Sequence, residues 1–464
     1  MDGAKGDFSV EMRRKEVVAA VLPMKEHRLP LSNLDLLLPP VDVGVFFCYK
    51  KPVSATGEDN IPFTFTSMVC VLKKALAQVL VSYYTFAGEV VKNTVGEPEL
   101  LCNNYGVVFH EAFANIELRD LNLYNPDESI EGKLVPKKKQ GVLSVQATEL
   151  KCGGLVVACT FDHRVADAYS ANMFLVSWAE TAQSKPLSLF PSFRRSLLNP
   201  RHPGRYDPSM DYMYVPISAL QPPNPCNQVD HLISRIYYVE AEQLSELQAL
   251  ARGSGQKRTK LEAFTALLWK IIASGEGGSC KRCKMGIVVD GRTRLSGGDG
   301  KEGETIKTYF GNVLSIPFAE KTAGELRERP LSWAAEAVHN CLESAVTGEH
   351  FLGLIDWVEA HRPEPTMATI YAGGSSEEDC GPAVVVSSGQ RFPVAKMDFG
   401  WGKAAFGSYH FPWGGDAGYV MPMPSAVGNG DWVVYMHLLK GQLQMIETQA
   451  SHLFRPLASH HLCF

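Results

Sequence analysis

No stretch of this chain approaches the ~20 consecutive apolar residues that a membrane helix needs. The opening segment MDGAKGDFSVEMRRKEVV is charged throughout and lacks the apolar centre of a secretory signal. A cytoplasmic protein is the expectation. Excess charge of one sign is missing too: 45 Lys and Arg stand against 50 Asp and Glu, a formal balance of −5. Such a chain has no strong field directed at nucleic acid, so neither nucleic acid nor membrane is expected as a partner. The cysteines lack a framework. There are eleven, an odd and scattered set, whereas short secreted scaffolds pair even numbers, so reduced thiols are expected. Cys280 and Cys283 in CKRC have no second pair to complete a zinc site and read as a surface turn. No histidine group has ligand spacing, so no metal is expected. A Gly-x-Ser-x-Gly elbow is also absent, which removes the usual signal for a serine nucleophile.

What is present is 464 residues, 45% hydrophobic and 20% charged, enough to build two or three ordinary globular cores. Residues 67–84 have helical periodicity, with Val69, Leu72, Leu76, Val79 and Leu80 on one face and Gly88 as the stop. Residues 154–161 read as a buried strand and 168–182 as a helix, with Asp167 at its N-cap. Between 199 and 227 the periodicity breaks over seven prolines. That stretch sets the expected organisation: an N-terminal domain over 1–198, a crossover over 199–228 and a C-terminal domain over 229–464. Beyond it, helices are predicted at 240–253, 258–274, 331–348, 350–362 and 437–453, and strands at 284–290 and 383–388. Strands and helices mix without regular alternation, which favours α/β layers over a doubly wound sheet.

Two short strings carry the chemistry. Phe-Asp-His-Arg-Val-Ala-Asp at 161–167 ends the apolar strand on His163. Histidine is the side chain whose ordinary pKa lies nearest neutrality, which suits it to general-base work. The bland alternative is a core histidine beside a helix cap. Asp398-Phe-Gly-Trp-Gly402 combines an acid, two glycines able to take unusual backbone angles (Gly400 and Gly402), and the indole N–H of Trp401. Asp398 reads as the partner of a buried arginine, for which Arg292 and Arg294 in DGRTRL are the fork-shaped donors. The two strings are expected to lie close in space.

Together these motifs make the chain resemble the plant BAHD acyl-CoA-dependent acyltransferases over essentially its whole length. Supporting matches are Leu31-Ser-Asn-Leu-Asp35, Leu261-Glu-Ala-Phe-Thr-Ala-Leu-Leu-Trp269, Asp290-Gly-Arg-Thr-Arg294 and Tyr309-Phe-Gly-Asn312. The resemblance implies a two-domain, chloramphenicol acetyltransferase-like α/β fold with a channel at the domain interface. It implies acyl-CoA as co-substrate, no bound cofactor and a monomer. His163 is implied as the base that deprotonates the acceptor, with Asp167 organising the histidine's surroundings. Asp398 is implied to pair with Arg292 or Arg294 and to hold the domains together, and Trp401 to donate to the oxyanion.

The acceptor is the open question. Arg391 stands seven residues before Asp398, where shikimate- and quinate-using relatives grip a carboxylate, but Gly389 and Ala404 depart from their pattern. Ser408-Tyr-His-Phe-Pro-Trp-Gly-Gly-Asp416 and the region around Ser32 resemble instead the hydroxycinnamyl (coniferyl) alcohol subgroup. Tyr409, Phe411, Trp413 and Ser32 are therefore the expected acceptor liners, beside Arg391. Lys257 and Arg258 are the candidates for the CoA phosphates. His410 has no companion acid nearby in sequence and is not read as a second base. The expectation is O-acyl transfer, acetyl or hydroxycinnamoyl, to a phenylpropanoid alcohol. The alternatives are shikimate or quinate transfer and N-acylation of a polyamine. Rivals from other classes are a non-catalytic ligand binder and an esterase in which His163 activates water.

Overall fold

A computed structural model describes residues 8–52, 63–220, 231–253, 257–296, 301–372 and 380–462. The end of the expected crossover, 221–228, lies outside the described residues.

Two mixed sheets dominate. The first runs Val10–Val18, Val107–Ala114, Leu143–Leu150, Leu155–Asp162, Asp42–Tyr49 and Phe406–His410 in spatial order. The second runs Leu314–Ser315, Arg282–Asp290, Cys380–Ser387, Gly418–Pro424, Trp432–Leu439, Leu232–Val239 and Arg455–Pro456, with Phe318–Thr322 paired beside Arg282–Asp290. Phe406–His410 follows the crossover in sequence, yet it pairs antiparallel with Asp42–Tyr49 in the first sheet. One strand from the C-terminal part thus completes the sheet built by the N-terminal part.

Helix Phe65–Ser82 begins at a capping box in which Thr64 and Ser67 satisfy each other's backbone N–H groups. It is long and apolar enough by composition to cross a membrane. Met68, Val69, Leu72, Ala75, Leu76, Val79 and Leu80 are instead buried in the protein, and the indole of Trp178 on helix Ala168–Ala182 donates to the Leu72 carbonyl at 3.0 Å. The crossover is more ordered than its prolines suggested. Tyr214–Pro216 pairs with Thr366–Ala368, and Arg201 binds Asp356 of helix Gly348–His361 at 2.7 Å.

Two expectations are corrected. Residues 437–453 are not one helix: Trp432–Leu439 is a strand and Lys440–Gln449 the helix that follows. The run WVVYMHLL is buried on both faces up to its last residue, and such a strand has no alternation to distinguish it from a buried helix. The CKRC pair is not a surface turn as a whole. Cys280 is exposed, but Cys283 is fully buried within strand Arg282–Asp290.

Candidate active site

Strand Leu155–Asp162 and the neighbouring strand Asp42–Tyr49, both interior to the first sheet, place His163 just past the strand end. Asp42 pairs with Asp162, and the His163 N–H donates to the Val41 carbonyl at 3.0 Å. Asp162 is clasped by Arg164, with bonds of 2.9 and 2.6 Å, so its charge is matched locally. The His163 ring is partly exposed, while Nδ1 is fully buried and meets no partner from another residue. Burial holds its pKa below the ordinary histidine value; its own carbonyl, Asp167, Asp162 and Asn312 oppose that shift without cancelling it. A ring that is neutral near pH 7 is able to accept a proton.

Two networks fix the backbone around this ring. In one, Asn312 donates through Nδ2 to the His163 carbonyl at 2.9 Å. Asn312 is itself held by Asp35, which accepts its N–H at 2.6 Å and its Nδ2 at 2.9 Å. The other carboxylate oxygen of Asp35 accepts from the Ser32 N–H and hydroxyl at 2.9 and 2.7 Å. In the second network Asp167 caps helix Ala168–Ala182 by accepting the Ser170 N–H at 2.9 Å. Arg292 meets both oxygens of Asp167, Nη1 at 2.8 Å and Nη2 at 3.1 Å. Its remaining donors reach Asp290, Ser170 and the Gly311 and Tyr309 carbonyls. Both residues are 1% exposed, so the charges are desolvated but fully bonded, the condition under which such a pair is tolerated. Asp167 therefore faces Arg292 and positions the turn that carries His163.

The model of the Transferase family matches residues 8–453. The chain belongs to this family, the BAHD acyltransferases. It is an acyltransferase, and BAHD acyltransferases draw the acyl group from acyl-CoA as co-substrate. It is 28% identical over 417 residues to the omega-hydroxypalmitate O-feruloyl transferase of Arabidopsis thaliana, covering 86% of this chain and 84% of that one. It is 26% identical over 455 residues to the shikimate O-hydroxycinnamoyltransferase of Nicotiana tabacum, covering 95% and 99%. The crystal structure of vinorine synthase superimposes with a TM-score of 0.70 at 18% identity, covering 97% of this chain and all of that one, a likeness of fold. The expected α/β BAHD fold is thereby established.

Within this BAHD chain the Asp398 assignment is corrected. Asp398 does not pair with Arg292, which is spent on Asp167, and Arg294 is exposed. The Asp398 carboxylate instead accepts the N–H groups of Gly400 and Gly402 at 2.8 and 3.1 Å, closing its own loop. Both glycines have positive φ, 111° and 110°, which a side chain would strain. The buried arginine bridging the two parts of the chain does exist, but its acid is in HxxxD.

Trp401 is not an oxyanion donor either. Gln183, at the C-cap of helix Ala168–Ala182, bonds the Asp398 carbonyl, whereas Asp167 caps the other end. Those fifteen residues span about 22 Å at the usual rise. Strand Asp42–Tyr49 agrees, for the Trp401 ring lies edge-on to Tyr49 at 6.1 Å while Asp42 lies at the His163 end. The DFGWG loop and His163 occupy opposite ends of the same layer, not one site.

The remaining candidates separate by geometry. Phe411 sets its ring edge-on to His163, 5.8 Å between centroids, and to Tyr419 at 5.0 Å. Tyr409 is buried, with its hydroxyl on Asn172 at 2.9 Å. Trp413 donates to the Ala417 carbonyl at 3.0 Å and packs on Tyr371. Ser32 is buried and committed to Asp35, so it braces the Asn312 network and does not line a pocket. Arg391 is exposed, stacks over Tyr169 at 5.4 Å and reaches Asp290 at 3.5 Å. Lys257 is exposed, but Arg258 is 5% exposed, too enclosed for a phosphate contact at a channel mouth.

Asn312 and Asp35 close motifs visible in the sequence, YFGN and LSNLD, without a local sign of a functional role. Their role depends on a hydrogen bond across 277 positions of chain, which spacing does not reveal.

Proposed function

We propose that this acyltransferase moves an acetyl or hydroxycinnamoyl group from CoA to the hydroxyl of a phenylpropanoid alcohol such as coniferyl alcohol. His163 is the general base. With the proton kept on enclosed Nδ1 beside the residue's own carbonyl, Nε2 has a free lone pair for the acceptor hydroxyl. As the acceptor hydroxyl's proton moves to Nε2, the alcohol oxygen attacks the thioester carbonyl. The tetrahedral intermediate then expels the CoA thiolate, which takes the proton back from Nε2 and leaves as the thiol. Acceptor and thioester react within one ternary complex, where fixed geometry replaces a bimolecular encounter.

The observation carrying the acceptor class is the aromatic wall beside the base: Phe411 against His163, continued by Tyr419. Uncharged aromatic surface beside the base suits a flat phenylpropanoid. A second reading, transfer to shikimate or quinate, is favoured by the spacing of Arg391 and by the shikimate-named relative. Against it, the Arg391 side chain is 62% exposed and turned to Asp290.

The test is CoA release by the purified protein with acetyl-, p-coumaroyl- and feruloyl-CoA, against coniferyl alcohol, omega-hydroxypalmitate, shikimate and spermidine, with products identified by mass. Ester formation fastest on coniferyl alcohol supports the reading. Preference for shikimate assigns the acceptor carboxylate to Arg391. Preference for omega-hydroxypalmitate or an amide product on spermidine replaces the aromatic acceptor.

A further inference from the structure

His410 follows Tyr409 on strand Phe406–His410, and its side chain therefore points to the opposite face of the sheet from Tyr409. It is 2% exposed, yet neither ring nitrogen has a hydrogen-bond partner. Burying both polar atoms of an imidazole unsatisfied costs free energy, so the environment is built for something that completes it. Two acids, both distant in sequence, stand beside it. Glu131 Oε2 lies 3.8 Å from His410 Nε2. Asp127, in the short helix Pro126–Ser129 just before it, keeps Oδ1 buried and unpartnered. One donor atom from each of Asp127, Glu131 and His410 falls within 4.8 Å of the others.

We propose that Asp127, Glu131 and His410 bind one divalent first-row cation. An imidazole nitrogen with two carboxylates suits such an ion, zinc or manganese, with water filling the remaining positions. Tetrahedral zinc at ordinary bond lengths sets donor atoms about 3.3 Å apart, so the three must draw together slightly. Glu131 supplies that movement: its side chain is 38% exposed, and among the described residues its ion pairs are with Lys137 at 3.6 Å and His410 at 3.8 Å. Asp127 is prefixed, because its other oxygen accepts the Ser234 N–H at 2.6 Å and Ser234 in turn bonds His437 Nδ1 at 3.0 Å. The exposed side of Glu131 is the entry path.

The consequence of binding is structural. Asp127 is tied to strand Leu232–Val239 of the second sheet, and His410 ends a strand of the first. An ion here clamps the two sheets together, and binding to the folded chain alone raises the melting temperature by mass action.

The experiment is calorimetric titration of the chelator-stripped full-length protein with Zn²⁺, paired with Co²⁺ absorption spectra and melting curves. The parent and the variants Glu131→Gln and His410→Gln are compared, with metal-free melting curves as the control for folding. The expected result is one equivalent bound in the parent, visible Co²⁺ ligand-field bands, and a rise in melting temperature on adding Zn²⁺. Glu131→Gln, at a half-open position, is expected to fold normally and to weaken binding at least tenfold. No binding at 100-fold molar excess overturns the proposal. Equal binding in the parent and in Glu131→Gln also overturns it, by placing the ion on exposed thiols such as Cys70 or Cys280.

Discussion

Arg292 and Asp167 meet through two parallel hydrogen bonds of 2.8 and 3.1 Å in a site where each is 1% exposed. Arg292 follows a strand of the second sheet, and Asp167 starts the helix behind His163. Fixing this one pair therefore aligns the base with the rest of the molecule.

Breaking the pair on one side leaves a buried charge short of its closest opposite charge, with Asp290 still beside Arg292 and the Ser170 and Val313 N–H groups still on Asp167, and this costs about 3–5 kcal/mol. Arg292→Ala and Asp167→Ala are each expected to fall in that range by urea denaturation, whereas Asp398→Ala, which removes the half-exposed acceptor of the Gly400 and Gly402 N–H groups, costs about 1–2 kcal/mol. Equal losses for Asp398→Ala and Arg292→Ala contradict the assignment of the brace to Asp167.

Trp401→Phe is expected to keep kcat within about threefold of the parent. Losing a true oxyanion donor costs ~10²–10³ in kcat, but Trp401 lies about 20 Å from His163 by the length of the intervening helix. A hundredfold fall in kcat with an unchanged circular dichroism spectrum contradicts that distance.

Much of this was legible from local signals. Asp167 marks the start of the helix because its side chain caps it, and the helix runs Ala168–Ala182 as the apolar spacing predicts. His163 stands out because a buried strand stops on it. The errors are long-range. Asp398 carries a local signature, an acid before two glycines in a turn, and its contacts are local rather than to a distant arginine. That arginine was identified as buried, yet which acid faces it is decided by the register of strands far apart in sequence. Glu131 and His410 are likewise far apart in sequence, and local spacing does not show their approach.

Asn312→Ala removes the bond that fixes the His163 carbonyl without touching substrate. A misplacement of the base near 1 Å lowers the rate by ~10², so kcat is expected to fall about 10- to 100-fold with KM little changed. Asn312→Asp, which keeps the side chain's size but cannot donate as the amide does, is expected to fall similarly. A change confined to KM contradicts a positioning role.

Histidines give two pH predictions. Burial holds the His163 pKa below 6.5, and a base works only when unprotonated, so the acid limb of kcat/KM is expected at an apparent pKa below 6.5. Separately, burial lowers the His350 pKa to about 4. The unfolded chain then takes up a proton between pH 6.5 and 4 that the folded one refuses, so stability falls on acidification across that window. His350→Gln, which keeps a polar partner for the Ser315 hydroxyl, is expected to flatten that loss in urea midpoints measured from pH 7 to pH 4.5. An unchanged slope contradicts it.

The most direct test of the central claim is kcat for His163→Ala with saturating feruloyl-CoA and coniferyl alcohol, alongside its melting curve. General-base catalysis contributes ~10²–10⁴ in rate, so a native melting curve with kcat reduced at least a hundredfold is the predicted result. Turnover within a few-fold of the parent contradicts His163 as the base.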